Sequence, residues 1–466
     1  MQKSRVFELF DTFSKKEIRH LKKFIASPFF NQRAHVIALF HYLVRCKFQQ
    51  KIGPTPEKAF EYLFPKQIFD DHKLRLSMSL LHKVFEKYLI WQEVNKEEIR
   101  SKIKLARAFR ELNLSRHFLK TIAELKNMQT NQAHHNADFY QNQYELFLEE
   151  YLFHSEQSRM GDLNLQQVQE NLDNAYITSK LRQSCFLLSH QNIYKKQYDF
   201  GMLPQMLAYV EQHSLLDKPA ISVYYYCYHT LVEPNEYKHF EKFKTLIFKY
   251  QSHFPKGEIR DLFLLATNYC IRLMNQGEKR FAKEGLSIYK EGLKNEALLL
   301  NGVLSHFTYR NIVAKAIVSK DFDWAEGFIH NYKAYLAEKY RQSTFSFNLA
   351  WLEYERKNYD KALQLLNKAN FTDLLLNLSA KTIAMKIYYE LEAFDLLYAH
   401  LEAMKKFITR KDIIAYHKKN YLNTIKFTKK ILDLPITNRA IKKQLSKEIE
   451  STAAVAEKNW LLACLK

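Results

Sequence analysis

With 466 residues, 47% hydrophobic and 14% aromatic, the chain can bury an extensive core, and its nine glycines and nine prolines are too few for the turns of a sandwich, barrel or doubly wound sheet. Scarce glycine also removes the usual phosphate cradles, and no G-x-x-x-x-G-K-[ST], G-x-G-x-x-G, G-x-S-x-G or H-E-x-x-H string occurs, so nucleotide, serine-hydrolase and zincin chemistry have no motif support. Lys and Arg number 71 against 50 Asp and Glu, a formal charge of +21, which favours polyanionic partners.

In chain order, Ser14 and Glu17 have capping-box spacing, and Ile18, Leu21, Phe24 and Ile25 then share one helical face until Pro28 stops the run. Asn31 is placed to cap a second helix through Val36, Ile37, Phe40 and Leu43. Thr55-Pro56-Glu57 opens a short helix that ends by Pro65. Asp70 or Asp71 starts a longer one with Leu74, Met78, Leu81, Phe85 and Tyr88 on one side. These four helices form a basic N-terminal unit over residues 1–95, with no acid between Ile18 and Pro56. Opposite the apolar side of the fourth, Lys73, Arg75, Ser77, Ser79, His82 and Lys83 resemble the surface of a major-groove recognition helix. Arg100, Lys104 and Arg107 follow as a short basic face suited to phosphate-backbone contact.

No proline falls between Pro65 and Pro204 or between Pro255 and Pro435, so residues 96–404 read as helical hairpins separated by polar turns. The run Val223–Tyr228 has strand propensity but lies in a helix-length segment with no partner strand, and a helix is expected. Asn348–Ala369 resembles a tetratricopeptide repeat: Leu349 and Ala350 stand at first-helix positions, Tyr359 and Asp360 at the turn, and Ala362 and Ala369 at small second-helix positions. Echoes of the aromatic turn occur at Tyr198-Asp199, Tyr237, Phe281, Phe322-Asp323 and Phe394-Asp395. The resemblance implies a superhelical array of degenerate hairpins whose concave face binds a peptide or protein partner. At the N-terminus, Ser27-Pro28-Phe29-Phe30-Asn31 resembles a turn found in an uncharacterised class of bacterial helical-repeat proteins, a likeness that implies no activity.

Residues 401–466 hold 15 bases against 6 acids, and residues 405–466 are expected to form basic helices capping the array. Lys405, Lys406, Arg410, Lys411, Lys418, Lys419, Lys426, Lys429 and Lys430 are accompanied by one acid, Asp412. Lys419, Lys426 and Lys430 share a helical face, and Tyr416 and Tyr421 lie between the bases where they can stack on exposed nucleobases. The plainer reading is a lysine-rich helix facing solvent. Glu17 with His20, Glu236 with His239, and His134-His135 with Asp138 have spacings that metal sites use, but each sits in a polar surface context and is read as surface.

Five cysteines at long spacings show neither a disulfide framework nor a zinc knuckle and fit a reducing compartment. No signal-peptide core or membrane-length apolar run occurs. The expectation is a cytoplasmic all-α interaction protein, without enzymatic activity, metal or cofactor, that binds a protein or peptide segment. The alternative is a nucleic-acid or ribonucleoprotein binder using the basic ends.

Overall fold

The first helix with its own start signal is Lys15–Ala26. Ser14 Oγ accepts the Glu17 N–H at 3.3 Å and Glu17 accepts the Ser14 N–H at 2.8 Å, which satisfies two amide donors that a helix N-terminus otherwise leaves unpaired. This is a computed structural model that describes residues 1, 3–50, 53–157, 163–194, 196–369, 371, 373–410, 415–434 and 439–466. Among them the fold is all-α, with 23 α-helices and a single two-stranded ribbon, Leu299–Leu300 paired with Val303–Leu304. The chain divides into two compact units, Met1–Tyr176 and Ile177–Lys466, with the division inside the helix Leu165–Tyr194.

In the Met1–Tyr176 unit, Pro56–Leu63 and Asp71–Lys96 start where the sequence places them, the latter capped by the Asp70 carboxylate on the Lys73 amide at 3.0 Å. Thr55 makes no side-chain cap bond, so Pro56 at the first helical position carries that start. Asn31 is not the cap of Ala34–Val44, whose N-cap is Arg33. Its side chain accepts the Arg33 N–H at 3.2 Å and donates to the Ile25 carbonyl at 3.1 Å, so it fastens the Ser27–Asn31 turn to the preceding helix.

A fifth helix, Arg5–Thr12, was not expected. Its Ser4 N-cap makes no side-chain cap bond, and eight residues are too short to hold by propensity alone. It is held by packing instead: Phe10 is fully buried, with ring centroids 6.2 Å from both Phe40 and Phe85. Farther along, the hairpin Glu98–Glu111 and Ser115–Thr130 packs with Ala137–Gln157 through Ile103, Ala106, Phe118, Ile122 and Phe153, and the Phe118 and Phe153 rings stack at 4.3 Å.

The Ile177–Lys466 unit contains five successive helix pairs: Pro219–Val232 with Tyr237–Tyr250, Lys256–Asn275 with Arg280–Lys294, His306–Val318 with Phe322–Asn331, Glu338–Glu355 with Tyr359–Lys368, and Leu374–Glu390 with Phe394–Arg410. The Val223–Tyr228 run is helical, because its residues pack on neighbouring helices and every backbone group finds its partner within the segment.

Four of these pairs close with the same turn. Gly277, Lys320, Lys357 and Glu392 have positive φ, and the next amide reaches back to the carbonyl five residues earlier, as in Asp321 to Ala316 and Asn358 to Glu353. This is the Schellman arrangement, which satisfies the last carbonyls of the first helix. Asn113 closes the Glu98–Glu111 hairpin in the same way.

Phe322, Tyr359 and Phe394 each open the second helix two residues after such a turn, and Phe281 follows three residues behind Gly277's neighbour in the helix Arg280–Lys294. Tyr237 opens its helix after a different turn, and Tyr198 lies outside any helix. In the Glu338–Lys368 pair, Ala350 and Ala362 are fully buried in one cluster with Phe347 and Ile383. Small side chains there permit the close approach of the two helices. First helices also pack on first helices of the following pair, Glu338–Glu355 lying between His306–Val318 and Leu374–Glu390.

Candidate functional site

The helix Lys256–Asn275 buries Leu262, Ala266, Tyr269, Cys270 and Leu273, which leaves Asn268, Arg272 and Asn275, at intervals of four and three, along the opposite stripe. Ser189 and Asn192 from the end of Leu165–Tyr194 and Leu231 from Pro219–Val232 join them around a groove of about 520 Å³. The walls therefore come from the end of Leu165–Tyr194 and from the first helices of the two pairs that follow it. Tyr269 forms part of the wall, with its hydroxyl tied to the Pro234 carbonyl at 2.7 Å.

Arg272 stands out in this groove. Its guanidinium carbon lies 5.6 Å from the Tyr269 ring centroid, and its Nε and Nη2 are buried with no hydrogen-bond partner among the described residues. Burial pushes its pKa down, and no carboxylate offsets that. A buried guanidinium left in this state is costly, and its fork matches a carboxylate in geometry and charge. The surrounding amides of Asn192, Asn268 and Asn275 supply donors and acceptors suited to a peptide backbone.

No protein-family model matches the chain, and neither curated proteins nor solved structures contain a match. Its functional reading therefore rests on its own residues.

The basic residues singled out in the sequence have varied surroundings. Lys73 donates to Gln67 at 2.7 Å and lies over the Phe64 ring, and Arg75 pairs with Asp71 at 2.7 Å. Ser77 is buried, its hydroxyl bonded to the Lys73 carbonyl, so the six residues compared with a recognition surface do not share one exposed face. Arg100 binds Glu97 at 2.9 Å and Asp138 at 2.8 Å. Arg107 and Arg110 converge on Glu149, which is 1% exposed. Lys104 is exposed.

At the other end, Lys405, Lys406 and Arg410 are exposed on Phe394–Arg410, whereas Lys411 lies outside the described residues. On Ala415–Leu432, Lys418 is half-buried and Lys419 exposed. Lys429 pairs with Glu402, Lys430 with Glu448 at 2.6 Å, and Lys426 with Glu448 at 3.4 Å. The stripe expected from Lys419, Lys426 and Lys430 is thus partly neutralised, and the Lys430 hydrogen bond holds the Glu448 carboxyl below its usual range. Tyr421 packs into the cluster around Met404 and Ile408, and the Tyr416 side chain lies outside the described residues.

A second basic feature is a depression of about 1090 Å³ lined by Arg439, Lys442, Lys443 and Lys466, with Glu450 on its wall. The spacing Arg439-x-x-Lys442-Lys443 carried this signal in the sequence, because residues three and four apart share a helical face. At the Arg272 groove only the stripe Asn268, Arg272 and Asn275 has such a spacing, and the facing Ser189, Asn192 and Leu231 come from distant helices.

Of the three metal-like spacings, Glu17 is occupied in its capping box, and Asp138 receives Arg100. Glu236 is the N-cap residue of Tyr237–Tyr250 and pairs with Lys238 at 3.4 Å. Its i, i+3 spacing from His239 therefore does not join the two, and His239 turns to Glu233 instead.

Proposed function

We propose that residues 177–466 act as a non-enzymatic tetratricopeptide-like scaffold that holds a segment of a partner protein along its first helices, with Arg272 seated on a carboxylate of that segment. The observation that carries this reading is the half-buried Arg272 side chain, whose Nε and Nη2 are buried with no hydrogen-bond partner among the described residues, in a groove lined by asparagines. A ligand carboxylate offsets the desolvation that the folded chain leaves uncompensated. First helices stacked on one another, and small residues at Ala350 and Ala362, favour the same reading, since helical-repeat arrays build their binding face by such stacking. The test is capture of random labelled peptides of graded Asp and Glu content by the full chain and by Arg272→Gln. Enrichment of acidic peptides by the native chain and its loss in the variant support the proposal. Equal capture by both proteins sinks it.

A second reading, polyanion binding, is favoured by the depression at Arg439, Lys442, Lys443 and Lys466. Fluorescence anisotropy with single-stranded RNA and duplex DNA at about 50 and 200 mM salt distinguishes it, since six or more phosphate contacts lose roughly a thousandfold in affinity over that range. Binding that survives Arg439→Gln, Lys442→Gln and Lys443→Gln together excludes this depression as the site.

A further inference from the structure

His229 occupies the last turn of Pro219–Val232, Glu233 is the residue at which that helix ends, and His239 lies in the first turn of Tyr237–Tyr250. The connection between them is fixed by its backbone: the Glu233 N–H donates to the His229 carbonyl at 2.9 Å, and the Glu236 N–H to the Glu233 carbonyl at 2.9 Å. The two imidazoles therefore face each other across the hairpin mouth with ring centroids 5.1 Å apart. The Glu233 carboxylate sits between them, 3.1 Å from His229 Nδ1 and 3.4 Å from His239 Nε2. The ligand atoms of all three residues lie within 4.8 Å of one another.

We infer that His229, Glu233 and His239 form a zinc-binding site that clips the mouth of this hairpin. A zinc ion holds its ligands at about 2.0–2.2 Å in a tetrahedron, which sets adjacent ligand atoms on the order of 3.4 Å apart. The two contacts run to different carboxylate oxygens, His229 to Oε1 and His239 to Oε2, and each has the length of a tetrahedral edge, so binding through one oxygen requires the farther ring to close on it from within 4.8 Å. His229 Nε2 is buried without a hydrogen-bond partner among the described residues, and Nδ1, the nitrogen in contact with Glu233, is the one that faces the metal position. Both histidine side chains are 16% exposed and the Glu233 side chain 43%, so solvent reaches the fourth coordination position. Two imidazoles and one carboxylate suit zinc, whereas calcium and magnesium favour all-oxygen sites. Lys238 is engaged by Glu236.

The experiment is calorimetric titration of the metal-stripped full-length chain with zinc chloride. The chain has 18 histidines, so the site is identified by substitution. One saturable equivalent per chain is expected, with affinity reduced more than about tenfold in His229→Gln, His239→Gln and Glu233→Gln, and retained in Glu236→Gln. Absence of saturable uptake at about 100 μM zinc overturns the inference, as does uptake unchanged by all three ligand substitutions. Circular dichroism checks the fold of each variant. Should the variants unfold, cobalt substitution in the native chain decides, since intense four-coordinate absorption bands support the site and the weak spectrum of hydrated cobalt overturns it.

Discussion

One pair of cations from each unit differs in what faces it. In Met1–Tyr176, Arg107 and Arg110 close on the same buried carboxylate, Glu149, at 2.5 and 2.9 Å. In Ile177–Lys466, among the described residues, Arg272 has buried donors with no partner, and Lys315, 1% exposed, donates to the Met274 sulfur at 3.3 Å with no carboxylate in an ion pair. A charge that has its counterion inside the fold serves the fold, whereas one without a counterion is a cost that a ligand, or a function, can relieve. Basic residues that look alike in the sequence therefore divide by what faces them.

The largest effect that can sharpen this contrast is at Glu149. Glu149→Ala leaves two guanidiniums without their shared acceptor, and a loss of about 3 kcal/mol in urea unfolding is expected. A loss below about 1 kcal/mol means that water already serves Arg107 and Arg110, and the contrast with Arg272 disappears.

Lys315 gives the next effect. Burial lowers its pKa from 10.5 to about 8, so between pH 8 and 10.5 the unfolded chain binds more protons than the folded one. Stability therefore rises with pH across that window, by an amount on the order of 3 kcal/mol. The penalty is fully present below about pH 8. Lys315→Met is expected to raise the midpoint at pH 7 and to remove this rise; an unchanged pH profile in the variant assigns the rise to another group.

The space around Lys315 provides a smaller effect. A Cβ at Gly285 stands 2.6 Å from Lys315 Cε, so Gly285→Ala is expected to cost about 1–2 kcal/mol. Combined with Lys315→Ala the cost should fall below about 0.5 kcal/mol, since the obstructing atoms are gone. Additive effects in the double variant show that the glycine serves another purpose. The smallest effect is at Lys430, whose pair with Glu448 is about 40% exposed on both sides. Lys430→Gln should change stability by less than about 0.5 kcal/mol, and by still less in 1 M salt.

Several features were legible in the sequence because their causes are local. The Ser14–Glu17 box, the Asp70 cap and Pro56 act within one helical turn, and the aromatic residues at Phe322, Tyr359 and Phe394 mark real starts of second helices. Arg5–Thr12 was invisible because its stability comes from Phe10 against Phe40 and Phe85, residues far along the chain. Asn31 misled because its side chain has two uses, capping and turn closure, and the choice depends on where the Ile25 carbonyl lies. Of the candidate sites, the Arg439-x-x-Lys442-Lys443 face carries a helical spacing in the sequence, but it lies beyond the Lys405–Lys430 run taken as the basic stripe. The Arg272 groove as a whole was not readable, since its walls come from helices separated by dozens of residues.

Composition, glycine scarcity and apolar spacing by themselves determined that the chain is helical and where many helices begin, because capping and amphipathicity are properties of neighbouring residues. Tertiary structure alone decided which cations are neutralised and which are left facing a groove. Arg107 meets an acid 42 residues away and Lys430 one 18 residues away, whereas Arg272 meets none among the described residues. Coulombic pairing depends on distance in space, and packing brings those groups together or keeps them apart.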